Sequence, residues 1–410
     1  MTSLLKAVGP VRSVIAAIFM LMVGAGFIST LVSLRLAEAG WNPMFIGLVA
    51  TAYFGGLTLG CLYVYRIIGR VGHIRAFAAF VALLSASTLA YSTHQGLVFW
   101  GVLRFIDGLC LAGVYVCLES WLSDRAEPGS RGKVLAVYMI ALYGGQALGQ
   151  FLLSVGERPS MVFVAASILI SLSVLPITLT RNTSPIIVAA PALSIRRLFR
   201  ISPLGFIGAT ATGLALGSFY GLGAVYAQRL GLNLPGTAAF MSAVIAGGVV
   251  LQWPLGWLSD SLDRRRVIVG VMAGATVVSA MIAALGAGPW LLPVGALFGG
   301  LSFALYPLCV AHTNDHVTVD ERIGASGGLV LVYSGGAAAG PALAAVAVSL
   351  FGAAGLFGFI AVCTGSALIF ALWRLAARNS VPSHLQQPYQ LLPRTTPMSA
   401  TLDPIGSDAA

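Results

Sequence analysis

From Val14 to Trp373 the chain alternates between long apolar stretches and short polar joints. Twelve stretches can be marked: Val14–Leu34, Phe45–Tyr65, Ala76–Tyr91, Leu97–Leu118, Val134–Leu153 and Ser160–Thr180, then Leu204–Tyr226, Ala238–Leu258, Val267–Leu285, Leu291–Ala311, Ile323–Val346 and Leu356–Trp373. About 20 apolar residues in a helix cross a hydrocarbon core of roughly 30 Å. Inside that core the backbone must satisfy its own hydrogen bonds, so each stretch is predicted to be a helix. The expected architecture is an all-α polytopic membrane protein with twelve transmembrane helices. The third stretch is short, and the break between the last two rests on Phe351-Gly352 and Gly355.

Composition agrees with the pattern. Hydrophobic residues make up 58% of 410, charged residues 9%, and mean hydropathy is +0.92. A water-soluble chain has no place to hide so much apolar surface. The net charge of +10 invites a nucleic-acid reading, but the positive residues crowd into alternate joints, such as Arg196, Arg197 and Arg200, or Arg264–Arg266. Only Arg35, Arg158 and Arg229 fall in the other set of joints, and Arg104 lies within a stretch. The positive-inside rule converts this asymmetry into an orientation with both termini cytoplasmic. The expected environment is the lipid bilayer, with no nucleic-acid partner. All five cysteines sit within stretches without metal-ligand or redox spacing, and read as small buried hydrophobes. The apolar run after Lys6 and Arg12 is too long for a signal-peptide core and reads as an uncleaved first span.

The chain divides into two. Residues 181–203, with Pro185, Pro191 and a cluster of arginines, are too polar to cross and read as a cytoplasmic linker between six-helix bundles at 1–180 and 204–378. Residues 379–410, rich in Pro, Ser and Thr, read as a disordered cytoplasmic tail. The halves echo each other: Arg131–Gly145 parallels Arg322–Gly336, with Tyr143 and Tyr333 in matching places. An even number of spans per half makes the repeats parallel, related by a pseudo-two-fold axis along the membrane normal. Such halves place a site at their interface near the midplane.

Few charges lie inside the spans. Arg104 and Asp107 are three residues apart and face one side of a helix, where they can pair. A charge near the bilayer centre costs about 2.5–3.5 kcal/mol, which makes this pair a candidate proton or charge pathway; the competing reading is a structural pair holding span four against span one. Glu119, about 22 Å further along the same helix at ~1.5 Å per residue, is expected toward the cytoplasmic face with a gate or latch role. His312, Asn314, Asp315 and His316 end span ten; their spacing is poor for a metal, and a solvated helix end is expected. Gly324–Gly328 fits an esterase elbow by letter, but it opens a membrane helix instead of a strand–helix turn. No Walker motif occurs. No cofactor, metal or enzymatic activity is expected.

Several motifs resemble the major facilitator superfamily over residues 12 to 378. Gly256-Trp-Leu-Ser-Asp260-Ser-Leu-Asp263-Arg264-Arg265-Arg266 is similar to that family's inter-helix gate loop, with Asp263 in the second glycine's place. Glu119-Ser-Trp with Arg131-Gly132-Lys133, Gln252-Trp253-Pro254, and Leu305-Tyr306-Pro307 resemble the YcaD-type branch of bacterial transporters. The resemblance implies that Asp260, Asp263 and Arg264 form a gate latch. The first half lacks the matching acid: Tyr65 and Arg66 stand in its place, leaving Glu119 or Asp124 as possible partners for Arg66 or Arg70. Arg104 with Gly108 resembles the family's Arg-x-x-x-Gly pattern in span four, associated with proton coupling in some members. Gly336-x-x-x-Gly340-Pro341 resembles an antiporter motif, displaced from span five to span eleven, where tight packing is the competing reading.

In that family spans one, four, seven and ten line the pathway, which implicates Ser29, Thr30, Ser33, Tyr115, Thr210, Thr212, Ser218, Tyr220 and Tyr306. Gln146, Gln150, Gln252 and Tyr333 join them from neighbouring spans. The set describes a cavity with aromatic rings and few fixed charges, suited to an amphipathic or apolar organic solute. The expected function is secondary active transport by alternating access, as a monomer that exports a small molecule coupled to protons. Proton-coupled uptake is the alternative, and a substrate-sensing receptor on a transporter scaffold a more distant one.

Overall fold

The computed structural model describes residues 8–127, 130–155, 159–180, 193–318 and 321–377, together with 386, 389, 390 and 393–396. Among these, eleven helical segments are long and apolar enough to cross a membrane. The remaining crossing is Pro203–Arg229, which meets that test together with the short helix Ile195–Ile201, bent from it by 117°. All twelve expected crossings are therefore present. The first is broken at Gly26–Phe27 into Arg12–Ala25 and Ile28–Glu38. The sixth comprises Pro159–Leu172 and a last turn at Leu175–Thr178. Spans two to five are Pro43–Val71, His73–Ala90, Leu97–Arg125 and Arg131–Gly149; spans eight to twelve are Leu234–Ser261, Arg264–Leu285, Leu291–Asn314, Arg322–Phe351 and Ala354–Ala377. The break after Phe351 is made by Gly352 at φ 68°, a left-handed conformation that side chains with a Cβ avoid.

The duplication is written in the turns. Gly40 (φ 80°) ends span one and Asn42 caps span two through Met44 N–H at 3.1 Å. Gly231 (φ 82°) ends span seven and Asn233 caps span eight through Gly236 N–H at 2.8 Å. It is written again in helix packing. A Cβ on Gly108 would lie 2.0 Å from the Tyr53 carbonyl, and one on Gly56 2.0 Å from that of Phe105, so spans two and four touch backbone to backbone. Gly299 against Val244 (1.8 Å) and Gly247 against Ala296 (2.0 Å) repeat the contact between spans eight and ten. Likewise Gly145 and Gly149 press span five on Phe19 and Val23, as Gly336 and Gly340 press span eleven on Thr210 and Leu214. Apart from the capped amides of Met44 and Gly236, each first-half residue is separated from its second-half counterpart by the same number of positions. Small residues four apart let helices approach closely, so both Gly-x-x-x-Gly copies are helix-packing devices.

Across the two halves, span two packs on span eleven, span five on span eight, and span one on span seven. Large apolar side chains such as Trp253, Trp257, Val98 and Ile369 remain exposed on the outside of the bundle, where lipid would cover them.

Candidate functional site

A cavity of ≈ 840 Å³, mouth included, lies between the two halves. Ser29, Tyr53, Arg104, Asp107, Tyr115, Tyr143 and Gln146 line it from the first half, Tyr220 and Tyr333 from the second, and Arg394 and Thr395 from the tail. At the end remote from the chain termini the halves are bonded directly. Ser33 donates to Gly221 O at 2.8 Å, Thr51 to Ala338 O at 2.8 Å, and Ser349 to Asn42 Oδ1 at 3.3 Å. Tyr220 donates to Gln146 Oε1 at 3.1 Å across the cavity itself.

Arg104 and Asp107 form a buried pair at 3.5 Å, with both side chains at most 4% exposed. Asp107 Oδ1 accepts from Ser87 on span three at 2.6 Å, and Oδ2 from the phenol of Tyr91, the residue that ends that span, at 2.7 Å. The Arg104 guanidinium donates to Ser29 on span one and lies 4.2 Å over the Tyr53 ring on span two. The charge pair thus ties span four to spans one, two and three. Gly108, one residue on, is the backbone contact with span two described above.

Of the expected cavity residues, Ser29, Tyr115, Gln146, Tyr220 and Tyr333 line the cavity. The others are occupied elsewhere. Thr30 is buried, Ser33 bonds across the halves at the closed end, and Thr210, Thr212 and Ser218 donate back to Phe206, Gly208 and Leu214 carbonyls within their own helix. Gln252 donates to Phe303 O at 3.4 Å, and Tyr306 stacks edge-on against Tyr333 at 5.3 Å, one layer behind the wall. Tyr53, Thr88 and Tyr143 line the cavity from spans two, three and five without having been expected to; Tyr143 was visible as the repeat partner of Tyr333.

At the other end lies the loop for which a gate role was expected. Arg264 is 1% exposed and bonded to Asp260 at 3.0 Å and Asp315 at 2.7 Å. Asp260 is 38% exposed but Asp315 only 2%, so Asp315 is the stronger partner. Asp263 caps span nine through Arg265 N–H at 3.0 Å and pairs with the Arg265 side chain at 3.2 Å. The end of span ten is therefore only partly solvated: His312 and Asn314 are buried and Asp315 is held by Arg264 of span nine, whereas His316 is exposed as expected. In the first half, Arg66 and Arg70 form no ion pair among the described residues; Arg66 stacks on Tyr63 and Tyr65 instead. Glu119 does not serve as their partner. It is fully enclosed and accepts from the Thr395 and Thr396 hydroxyls.

Those threonines belong to the tail expected to be disordered. Its described residues instead enter the bundle: Tyr389 N–H donates to Asp260 Oδ1 at 2.8 Å, its ring lies against Gly256, and Arg394 reaches the cavity. Burial, reinforced by the Asp260 carboxylate, holds the Tyr389 phenol above the usual tyrosine range.

Comparison with known proteins decides the family. The profile of the Major Facilitator Superfamily matches residues 14–305 and 240–401. The chain belongs to the Major Facilitator Superfamily. Within the superfamily it is similar to the MFS-type transporter YcaD of Salmonella enteritidis, 30% identical over 343 residues covering 82% of this chain and 88% of that one. YcaD of Escherichia fergusonii is 29% identical over 377 residues, covering 91% and 97%. The fold is shared with the nucleoside transporter NupG (TM-score 0.70, 14% identity, 89% and 98% covered). It is shared also with a bacterial homologue of the human lysosomal transporter Spinster, inward-facing and occupied (TM-score 0.72, 14% identity, 90% and 96% covered). This MFS protein is a multi-pass membrane transporter of the secondary type, not an enzyme, and two six-helix bundles related by a pseudo-two-fold axis are its fold.

Proposed function

We propose that this MFS transporter exports a small amphipathic organic solute by alternating access, driven by protons entering in exchange, and that it works as a monomer with both termini in the cytoplasm. The observation that carries the reading is the interfacial cavity, ringed by tyrosines and bonded shut at one end by cross-bundle contacts. A solute held there contacts aromatic faces and a few hydroxyls, which suits a molecule with an apolar body and a small polar group. Arg104 and Asp107 on the cavity wall are the candidate proton site: a carboxylate held by two hydroxyls and a guanidinium can exchange charge with the cavity without leaving the protein interior. The Arg264 network is the candidate latch. Export in preference to uptake is supported by the Gly336-x-x-x-Gly340-Pro341 motif, although its glycines already have a packing role.

The test is transport in reconstituted vesicles under an imposed proton gradient, with a panel of dyes, antibiotics and metabolites. Solute movement should follow the gradient, and Asp107→Asn should abolish gradient-driven movement while retaining solute exchange. Movement indifferent to the gradient, or an Asp107→Asn protein that transports like the parent, refutes the coupling assignment.

A further inference from the structure

The tail places a guanidinium group in the middle of the transport pathway. Arg394 is 7% exposed, and its guanidinium carbon lies 4.2 Å over the Phe303 ring, 5.4 Å from that of Tyr143 and 5.6 Å from that of Tyr333. Phe303 and Tyr333 come from the second bundle and Tyr143 from the first, so the cage exists only where the halves meet. Just beyond it the Glu119 carboxylate is served by Thr395 and Thr396, and Cys61 Sγ donates to Thr395 O at 3.4 Å. Further out, Tyr389 is seated on Gly256 and Asp260. Three aromatic faces converging on one desolvated cation form a recognition pattern for positive charge. Phenyl and phenol faces attract a cation through the ring quadrupole and give a neutral isostere of the same shape no such attraction.

We infer that the cage of Tyr143, Phe303 and Tyr333 is a binding site for a monovalent organic cation, and that the tail occupies it as a tethered competitor through Arg394. The inference rests on the transporter reading and narrows its solute to one bearing a guanidinium or similar delocalised cation on an apolar body. A segment fixed to the same chain competes at an effective concentration in the millimolar range, so it excludes weak cations and yields to tighter ones or to removal of the arginine. Because the Tyr389 N–H also donates to Asp260, displacement of the tail removes that hydrogen bond from the Asp260–Arg264 pair in the same event.

The experiment uses the full-length protein in detergent and isothermal titration with benzylguanidinium, with benzylurea as its neutral isostere. Arg394→Ala should bind benzylguanidinium at least tenfold more tightly than the parent, and benzylurea should bind neither. In the Arg394→Ala background, Phe303→Leu, which keeps apolar volume and removes the ring, should weaken benzylguanidinium about tenfold. Equal binding of the two probes, or no gain on removing Arg394, overturns the inference. Melting of each variant in detergent reports whether it is folded. The two readings fail separately. If Arg394→Ala discriminates the probes but no solute follows a proton gradient, the cation site stands and proton-coupled export falls. If a neutral solute is driven by the gradient while benzylguanidinium is ignored, export stands and the cation site falls.

Discussion

Replacing Asp107 by Asn changes one oxygen to an NH2 group in a position enclosed on all sides, and its cost can be worked out. The variant leaves Arg104, 3% exposed, without its carboxylate. Breaking a buried pair by removing one partner costs about 3–5 kcal/mol, and an unpaired charge near the centre of a span about 2.5–3.5 kcal/mol. Arg104 keeps Ser29 and the Tyr53 ring, the latter worth about 0.5–2 kcal/mol when desolvated, which puts the expected loss near the lower end, about 3 kcal/mol. The amide retains one oxygen for Ser87 or Tyr91, so loss of those hydrogen bonds is the smaller effect. The double variant Arg104→Met/Asp107→Asn removes both charges and should recover to within about 1 kcal/mol of the parent, because a neutral pair carries no desolvation penalty. Equilibrium unfolding of the purified protein in mixed micelles measures both. A double variant at least as unstable as Asp107→Asn alone refutes the electrostatic account and makes the site a packing feature.

Other consequences can be checked alongside. Gly108→Val forces a branched side chain onto the Tyr53 carbonyl and should cost about 1–3 kcal/mol, whereas Gly101→Ala in the same helix, with nothing within 4 Å of its Cβ, should be neutral or stabilising by up to about 1 kcal/mol; equal effects would contradict the packing role of Gly108. Asp315→Asn should destabilise by about 3–5 kcal/mol, and Asp260→Asn by under about 1 kcal/mol because its carboxylate is 38% exposed, yet Asp260→Asn should still slow turnover more than solute binding. Normal turnover in Asp260→Asn removes that residue from the latch. Ser33→Ala combined with Thr51→Val deletes two cross-bundle bonds of about 1 kcal/mol each and should shift the population toward opening at that end roughly tenfold or more, read as spin-label distances between spans one and seven; an unchanged distribution means other contacts hold that end shut.

The twelve crossings, their division into two sixes and the parallel repeat were legible in the sequence because lipid imposes one rule on every segment: roughly 20 apolar residues and an internally bonded backbone. The pairing of Arg104 with Asp107 followed from helical spacing alone. The sequence could not say which polar side chains face the cavity. Thr210, Thr212 and Ser218 lie on a pathway span yet spend their hydroxyls on carbonyls of their own helix, while Tyr53 on span two lines the cavity because Gly56 and Gly108 let spans two and four touch. Rotation of a helix about its axis is set by its neighbours and leaves little trace when every face is apolar. Asp315 looked like a helix end in water until the start of span nine was seen to cover it. The tail was the furthest from reach: its composition argues against a packed core, and only the assembled bundles supply the three rings and the enclosed carboxylate against which Arg394, Thr395 and Thr396 are placed.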